Sequence, residues 1–315
     1  MSKIAIIGSG FVGRAWAISF ARAGHDIALW DTDPQAPITA LDYVSKLLPD
    51  LASNNLLNNQ SPEAVRARMR VAPTLEDALE GAGYVQENTP ENLEVKRKVF
   101  AQLDAAAALE TILASSTSAI MPSAFTETLN GRARALVVHP INPPYLVPAA
   151  EVVPAPWTDP VIVDRAAALL RAAGHAPIVM KREIDGFVMN RLQGALLEEA
   201  FRLVADGNAS VEDVDVGIRD GLALRWSFMG PFETIDLNAP GGVRDYAERY
   251  QSIYSNIFPS TQHRVDWSGP VLNEIEGERR KRLPADRLID RQAWRDRRLM
   301  ALAAHKRRAD KDIGR

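Results

Sequence analysis

The sequence contains no cysteine. That excludes disulfides, a thiol nucleophile and thiolate metal sites. No stretch reaches the ~18 uninterrupted apolar residues expected of a membrane span. The opening Met1-Ser-Lys-Ile-Ala-Ile-Ile-Gly8 is too short and too glycine-rich to read as a signal peptide. A soluble cytoplasmic protein is the resulting expectation. Histidine is scarce, with 5 in the chain. His25, His175, His263 and His305 lack a second ligand at metal spacing, so they read as structural or surface residues and no metal is expected. A net charge of −3 offers no general field for nucleic acid. The charge is uneven, however. Residues 279–315 hold 14 Lys/Arg against 5 Asp/Glu, an excess of 9 that leaves the remainder at −12. Without aromatic interleaving or a reader motif, this reads as a solvated basic helix face near an acidic body.

What is present is apolar mass and pattern. The chain has 315 residues, 46% of them hydrophobic, which suits about two domains. Lys3–Ile7 is a β-branched run of the kind buried in parallel sheets. Gly8-Ser-Gly10-Phe11-Val12-Gly13 follows at once, then a helical stretch from Arg14 to Ala23 with Trp16, Ala17 and Phe20 on one face. Gly24 ends it, and His25–Trp30 reads as a second strand closed by Asp31. Strand, glycine turn, helix, strand and acid together make a dinucleotide-binding signature. Gly8 permits the tight turn, Gly10 lets backbone approach a pyrophosphate, and Gly13 lets the helix pack on the sheet. The helix N-terminus offers free N–H groups to phosphate. Asp31 stands 21 residues beyond Gly10, placed to accept the ribose hydroxyls. The acidic Asp31-Thr-Asp33 repels a 2′-phosphate, which favours NAD over NADP.

Short apolar runs and helical stretches alternate to about residue 180. Tyr84–Gln86, Thr111–Ala114 and Leu136–Val138 read as strands, and Glu91–Asp104 as a helix. This βαβ series predicts an α/β fold with a mostly parallel sheet, whose ligands bind at the carboxyl ends of strands. Gly8, Asp31, Ser115–Ser118 and His139 all fall at such ends. His139 is followed by Pro140, Pro143 and Pro144, which stop the strand. Unperturbed histidine changes charge near neutral pH, so a histidine at a strand end is a candidate acid/base, and Glu151, twelve residues on in a second apolar run, is a candidate orienting carboxylate. From Ile184 the pattern becomes helical, so a Rossmann-type domain over 1–183 is expected to precede an all-helical domain over 184–315 that ends in the basic tail. Trp226, Phe228 and Phe232 read as core or as dimer contact.

Four motifs in order carry a resemblance: Ser115-Ser-Thr-Ser118, His139-Pro-Ile-Asn142-Pro143, Glu151, and Gly186-Phe-Val-Met-Asn190-Arg191. The chain resembles the 3-hydroxyacyl-CoA dehydrogenase superfamily over nearly its full length. Within it, the chain is most similar to the lambda-crystallin / L-gulonate 3-dehydrogenase branch, through Asn142-Pro-Pro-Tyr145, Gly221-Leu-Ala-Leu-Arg225-Trp-Ser-Phe-Met-Gly-Pro231 and Arg291-Gln-Ala-Trp294-Arg-Asp296. Acyl-CoA members carry a lysine-rich nucleotide contact after the second strand. Residues 35–70 here hold one lysine, Lys46.

The resemblance implies NAD-dependent oxidation of a secondary alcohol at the 3-position of a small hydroxy acid. His139 takes the hydroxyl proton, Glu151 orients it, and Ser118 and Asn190 hold the reacting oxygen or the histidine. Phe11 and Val12 join the glycines at the cofactor. Glu91 and Lys96 match nicotinamide-side contacts, or form a surface pair. A free acid needs an anchor, and Arg225 is the candidate, since guanidinium matches carboxylate bidentately. Its plain alternative is an exposed arginine or an inter-subunit ion pair. The resemblance also implies a homodimer through the helical domain. Competing substrates are a 3-hydroxyacyl-CoA and L-carnitine. A different class is a crystallin-like protein that binds NAD without catalysis.

Overall fold

The computed structural model describes residues 2–314. Its chain divides into two compact units, Met1–Asn190 with Asp296–His305, and Arg191–Arg295 with Lys306–Arg315. The first unit holds the expected sheet. Its strands are β1 (Lys3–Ile7), β2 (Asp26–Trp30), β3 (Met69–Val71), β4 (Ala82–Glu87), β5 (Ile112–Ser115), β6 (Ala135–Pro140), β7 (Ala149–Pro154) and β8 (Ala176–Val179). They lie in the order β3-β2-β1-β4-β5-β6-β7-β8. β1 to β6 run parallel, so the order reverses between β1 and β4 and opens a crevice at their carboxyl ends. β7 pairs antiparallel with β6, and β8 parallel with β7, so the last two strands run against the rest. The sequence pattern anticipated β1, β2, β4, β5 and β6 as a parallel series, but not β3, this return or β8.

Each face of the sheet is closed by helices. One face packs α1 (Phe11–Arg22), α2 (Gln35–Ser53) and the helix Pro160–Ala172 over Ile4, Ile6, Ile27, Leu29, Leu136 and Val138. Met300 is buried in the same cluster, flanked by Leu299 and Ala303, so the C-terminal segment returns to cover the first unit. The other face packs Phe100 and Leu103 of the helix Leu93–Ala106 over Ala5, Ile7, Val85 and Leu113. Helix starts follow local chemistry. The side chains of Asn92, Asp159 and Ser61 each accept a backbone N–H in the first turn of the helix they precede.

His175 is buried against Trp16, their rings 4.9 Å apart. Its Nδ1 meets the Pro148 carbonyl at 3.1 Å, while Nε2 is buried without a partner. Burial, and then the nearby Arg22 cation, push its pKa down to about 4. The folded group therefore binds its proton less tightly than the unfolded one. Its stabilising contribution is complete above pH 6.5 and declines as pH falls from 6.5 towards 4. Urea unfolding at pH 7 and pH 5 should show wild type losing about 2 kcal/mol more than His175→Gln across that step. Parallel losses would remove His175 from the account.

The second unit is helical. From Arg191 it follows the helix Met189–Ala205, then Val211–Val216, a π-helical turn Gly217–Leu222, Ala223–Trp226, Pro231–Leu237, Gly242–Ile257 and Pro270–Arg282. Val204, Val211 and Val271 form its small core, and Phe201 stacks on Trp267 at 4.5 Å. Arg279 pairs with Asp215 at 3.1 Å, and Arg282 with Glu212. Part of the basic excess is thus answered by acidic residues of the same unit. The core reading of Trp226, Phe228 and Phe232 is corrected: Phe228 is 72% and Phe232 78% exposed, and Trp226 is exposed too. Among the described residues no helix is long and apolar enough to cross a membrane.

Candidate functional site

The glycine turn is built on steric necessity. Gly8 adopts φ +89, and a Cβ there would meet the Asn88 carbonyl at 2.8 Å. A Cβ on Gly13 would lie 1.9 Å from the Gly8 oxygen. A Cβ on Gly10 would meet nothing within 4 Å, so open space faces that position, where α1 begins. Phe11 is exposed beside it, and Val12 packs partly on the core. Asp31 closes β2. Its Oδ2 accepts Ser9 N at 2.7 Å and its Oδ1 accepts Asp33 N at 3.1 Å, which ties the acid to the turn. Close packing behind the turn, open space before it and an acid at the next strand end fit a dinucleotide with free ribose hydroxyls.

His139 and Glu151 are direct partners across β6 and β7. The twelve-residue spacing is the length of a strand-to-strand return. His139 Nδ1 lies 2.6 Å from Glu151 Oε2. A carboxylate only accepts, so Nδ1 carries the hydrogen and Nε2 holds the lone pair of the neutral ring. Nε2 has no protein partner among the described residues, and the residue as a whole keeps 8% exposure. Glu151 is wholly buried, and its Oε1 accepts Val188 N at 2.7 Å and Met189 N at 2.8 Å. Gly186 at φ +75 and Phe187 at φ +48 turn those two amides toward the acid. The helical reading from Ile184 is corrected here: residues 184–188 form this turn, and the helix starts at Met189. The Phe187 ring is buried 5.9 Å from that of His139.

Ser118 lies on the turn after β5. Its backbone oxygen accepts Asn190 Nδ2 at 2.6 Å. Its amide donates to Glu91 Oε1 at 3.1 Å, alongside Ala119 N at 3.0 Å and the Thr117 hydroxyl at 2.5 Å. Glu91 therefore clasps the turn that carries Ser118. Lys96 is only 1% exposed, and its Nζ sits 3.1 Å from Glu87 and 3.9 Å from Glu91. The surface-pair reading of Glu91 and Lys96 is corrected by that burial.

His139, Glu151, Ser118, Asn190, Glu91 and Lys96 all belong to the first unit. Arg225 does not. It lies on the helix Ala223–Trp226 of the second unit, exposed, with no acidic partner among the described residues. Sequence reasoning missed Glu87 and the amides of Val188 and Met189. Glu87 could have been noticed as an acid inside a strand pattern; backbone amides leave no letter to read.

Comparison with known proteins defines the class. Residues 3–184 match the NAD binding domain of 3-hydroxyacyl-CoA dehydrogenase, and residues 186–268 its C-terminal domain. The chain belongs to the 3-hydroxyacyl-CoA dehydrogenase family: an NAD-dependent oxidoreductase acting on CH–OH groups. Among its relatives, it is 40% identical to lambda-crystallin of Oryctolagus cuniculus, covering 96% of each chain. It is 39% identical to the L-carnitine dehydrogenase of Streptomyces griseus, covering 79% of this chain and 73% of the other. Among solved structures, it resembles 5-formyl-3-hydroxy-2-methylpyridine 4-carboxylic acid 5-dehydrogenase, an NAD+-dependent dismutase. That similarity has a TM-score of 0.82 and 28% identity over 96% of this chain and 97% of that one.

Proposed function

We propose that the protein oxidises the 3-hydroxyl of a small free hydroxy acid of the L-gulonate type, with His139 as general base. The observation that carries this reading is the buried Glu151 carboxylate bonded to His139 Nδ1, which leaves Nε2 as the acceptor. Bound NAD supplies the hydride acceptor. Nε2 takes the substrate hydroxyl proton, and the Glu151 carboxylate stabilises the imidazolium that forms. Asn190 and Glu91 hold the Ser118 turn in place, so the Ser118 hydroxyl can bind the reacting oxygen. In this reading Gly8, Gly10, Phe11, Val12, Gly13 and Asp31 hold the nucleotide, with Glu91 and Lys96 on its nicotinamide side.

One observation favours a free acid over a thioester: residues 35–70 hold a single lysine. L-carnitine is the second reading, favoured by the 39% identity to the Streptomyces griseus enzyme. Joint presence of His139, Glu151, Ser118 and Asn190 argues against an NAD-binding protein without catalysis. The protein is also proposed to form a homodimer through the second unit, where Leu224, Phe228, Phe232, Leu237 and Ile253 stand exposed.

The test is NADH formation from L-gulonate, 3-hydroxybutyrate, L-carnitine and 3-hydroxybutyryl-CoA side by side. Activity on a free acid and not on the thioester is expected; activity on the thioester alone sinks the free-acid reading. Arg225 is proposed to bind the substrate carboxylate. Arg225→Ala should then raise KM for the acid about 10-fold or more while leaving KM for NAD near its wild-type value, since a charge-assisted hydrogen bond is worth about 1.5–3 kcal/mol. Unchanged KM for the acid removes Arg225 from the site.

A further inference from the structure

The chemistry above makes no direct use of Glu87, yet its carboxylate is wholly buried at the carboxyl end of β4, between Ile7 of β1 and Ser115 of β5. Oε2 accepts the Ser115 hydroxyl at 2.5 Å, and Oε1 accepts Thr89 N at 2.5 Å together with the Thr89 hydroxyl. Lys96 Nζ reaches both oxygens, at 3.1 and 3.2 Å, and also lies 3.9 Å from Glu91. Ser115 Oγ accepts Thr117 N at 3.2 Å, and Ser116 N donates to the Glu87 carbonyl at 2.8 Å. Glu91 holds Thr117, Ser118 and Ala119 from the other side. Two carboxylates joined through one lysine therefore grip the turn that ends at Ser118.

We propose that Glu87 is a positioning residue for the dehydrogenase reaction: through Ser115 and Lys96 it fixes the Ser115–Ala119 turn, and so sets where the Ser118 hydroxyl meets the substrate. The inference rests on the reading of Ser118 as a substrate contact. A bland role in stability explains the arrangement less well. A buried ion pair replaced by well-packed apolar groups is often neutral or stabilising, so stability alone does not account for this one. Its bonds converge on strand-end turns at the crevice and not on the core. Misplacement by about 1 Å at such a contact can cost on the order of 10²-fold in rate.

The experiment compares Glu87→Gln, Ser115→Ala and the double variant in the full-length protein. Two readouts are taken: kcat on the best substrate of the panel above, and amide hydrogen exchange of residues 115–119. Glu87→Gln keeps the volume and removes the carboxylate. It should lower kcat about 10- to 100-fold and speed exchange in the turn about 10-fold, with protection in β1 and α1 retained. Ser115→Ala should move both in the same direction. The double variant should fall no lower in kcat than Glu87→Gln alone, because the two act through one contact. Wild-type kcat and turn exchange in Glu87→Gln, or losses that simply add, overturn the proposal. If Glu87→Gln does not fold, Ser115→Ala decides: unchanged exchange and kcat there overturn it equally. If wild type oxidises no alcohol, the proposed function fails, while the exchange measurement still decides whether Glu87 holds the turn.

Discussion

His139→Ala should lower kcat by about 10²- to 10⁴-fold while leaving NADH affinity near the wild-type value. That range is the usual contribution of a positioned general base. The cofactor half of the prediction follows from topology. His139 stands at the end of β6, two strands beyond β4 in the sheet order, whereas the glycine turn follows β1 on the other side of the crevice. Glu151→Gln separates orientation from base strength. Glutamine can still accept from Val188 N and Met189 N through its oxygen, but then its NH₂ group faces Nδ1. The ring would be pushed toward the tautomer with hydrogen on Nε2, which cannot accept a proton. Glu151→Gln should therefore approach the His139→Ala loss in kcat, and the double variant should be little worse than either single. Single-turnover NADH formation alongside NADH fluorescence titration checks both halves. Turnover within a few-fold of wild type in His139→Ala would end this mechanism.

The sequence made some of this legible and hid the rest for physical reasons. The glycine turn could be read because Gly8 and Gly13 each meet a steric demand that another residue fails. His139 and Glu151 could be paired because a histidine at a strand end and a carboxylate in the next apolar run suit a base and its orienting acid. The antiparallel return that joins them is also encoded in the chain length between the two runs. Residues 141–148 are too few for the dozen or more that a parallel crossover requires. What fixes Glu151 was not legible. Ile184–Leu192 has apolar spacing that suits a helix, but Gly186 and Phe187 take positive φ and spend that segment on an amide cradle. Phe187 in that conformation is a local choice that only its tertiary partners explain, since non-glycine residues seldom adopt it. Lys96 stayed ambiguous because a lysine near a glutamate usually lies at the surface. Its burial depends on Glu87, a partner in the preceding strand.

Gly13→Ala should weaken NADH binding about 10- to 100-fold and lower Tm, whereas Gly10→Ala should weaken binding and leave Tm near wild type. The two glycines occupy one turn but face opposite surroundings. The new methyl at 13 would overlap the Gly8 oxygen and press on Ile6 Cγ2 at 3.3 Å, so α1 must lift from β1 or the turn must open. Overpacking of this kind costs about 1–3 kcal/mol, and every 1.4 kcal/mol that reaches the binding equilibrium is about tenfold in affinity. It also displaces the first-turn amides that would face the phosphates. At Gly10 a methyl meets no protein atom within 4 Å, so the apo fold has nothing to resist. On the proposed placement of the cofactor, the methyl would take up space that the pyrophosphate needs. The split between stability and affinity is the informative part, because a general loss of folding would move both variants alike. Differential scanning fluorimetry with and without NADH, beside fluorescence titration, measures the two quantities on one sample. Should Gly10→Ala bind NADH as wild type does, the pyrophosphate does not lie over that glycine and the placement of the cofactor on this turn is wrong. Should Gly13→Ala keep both Tm and affinity, the helix has slack against β1 that the packing of Gly13 on Gly8 does not allow.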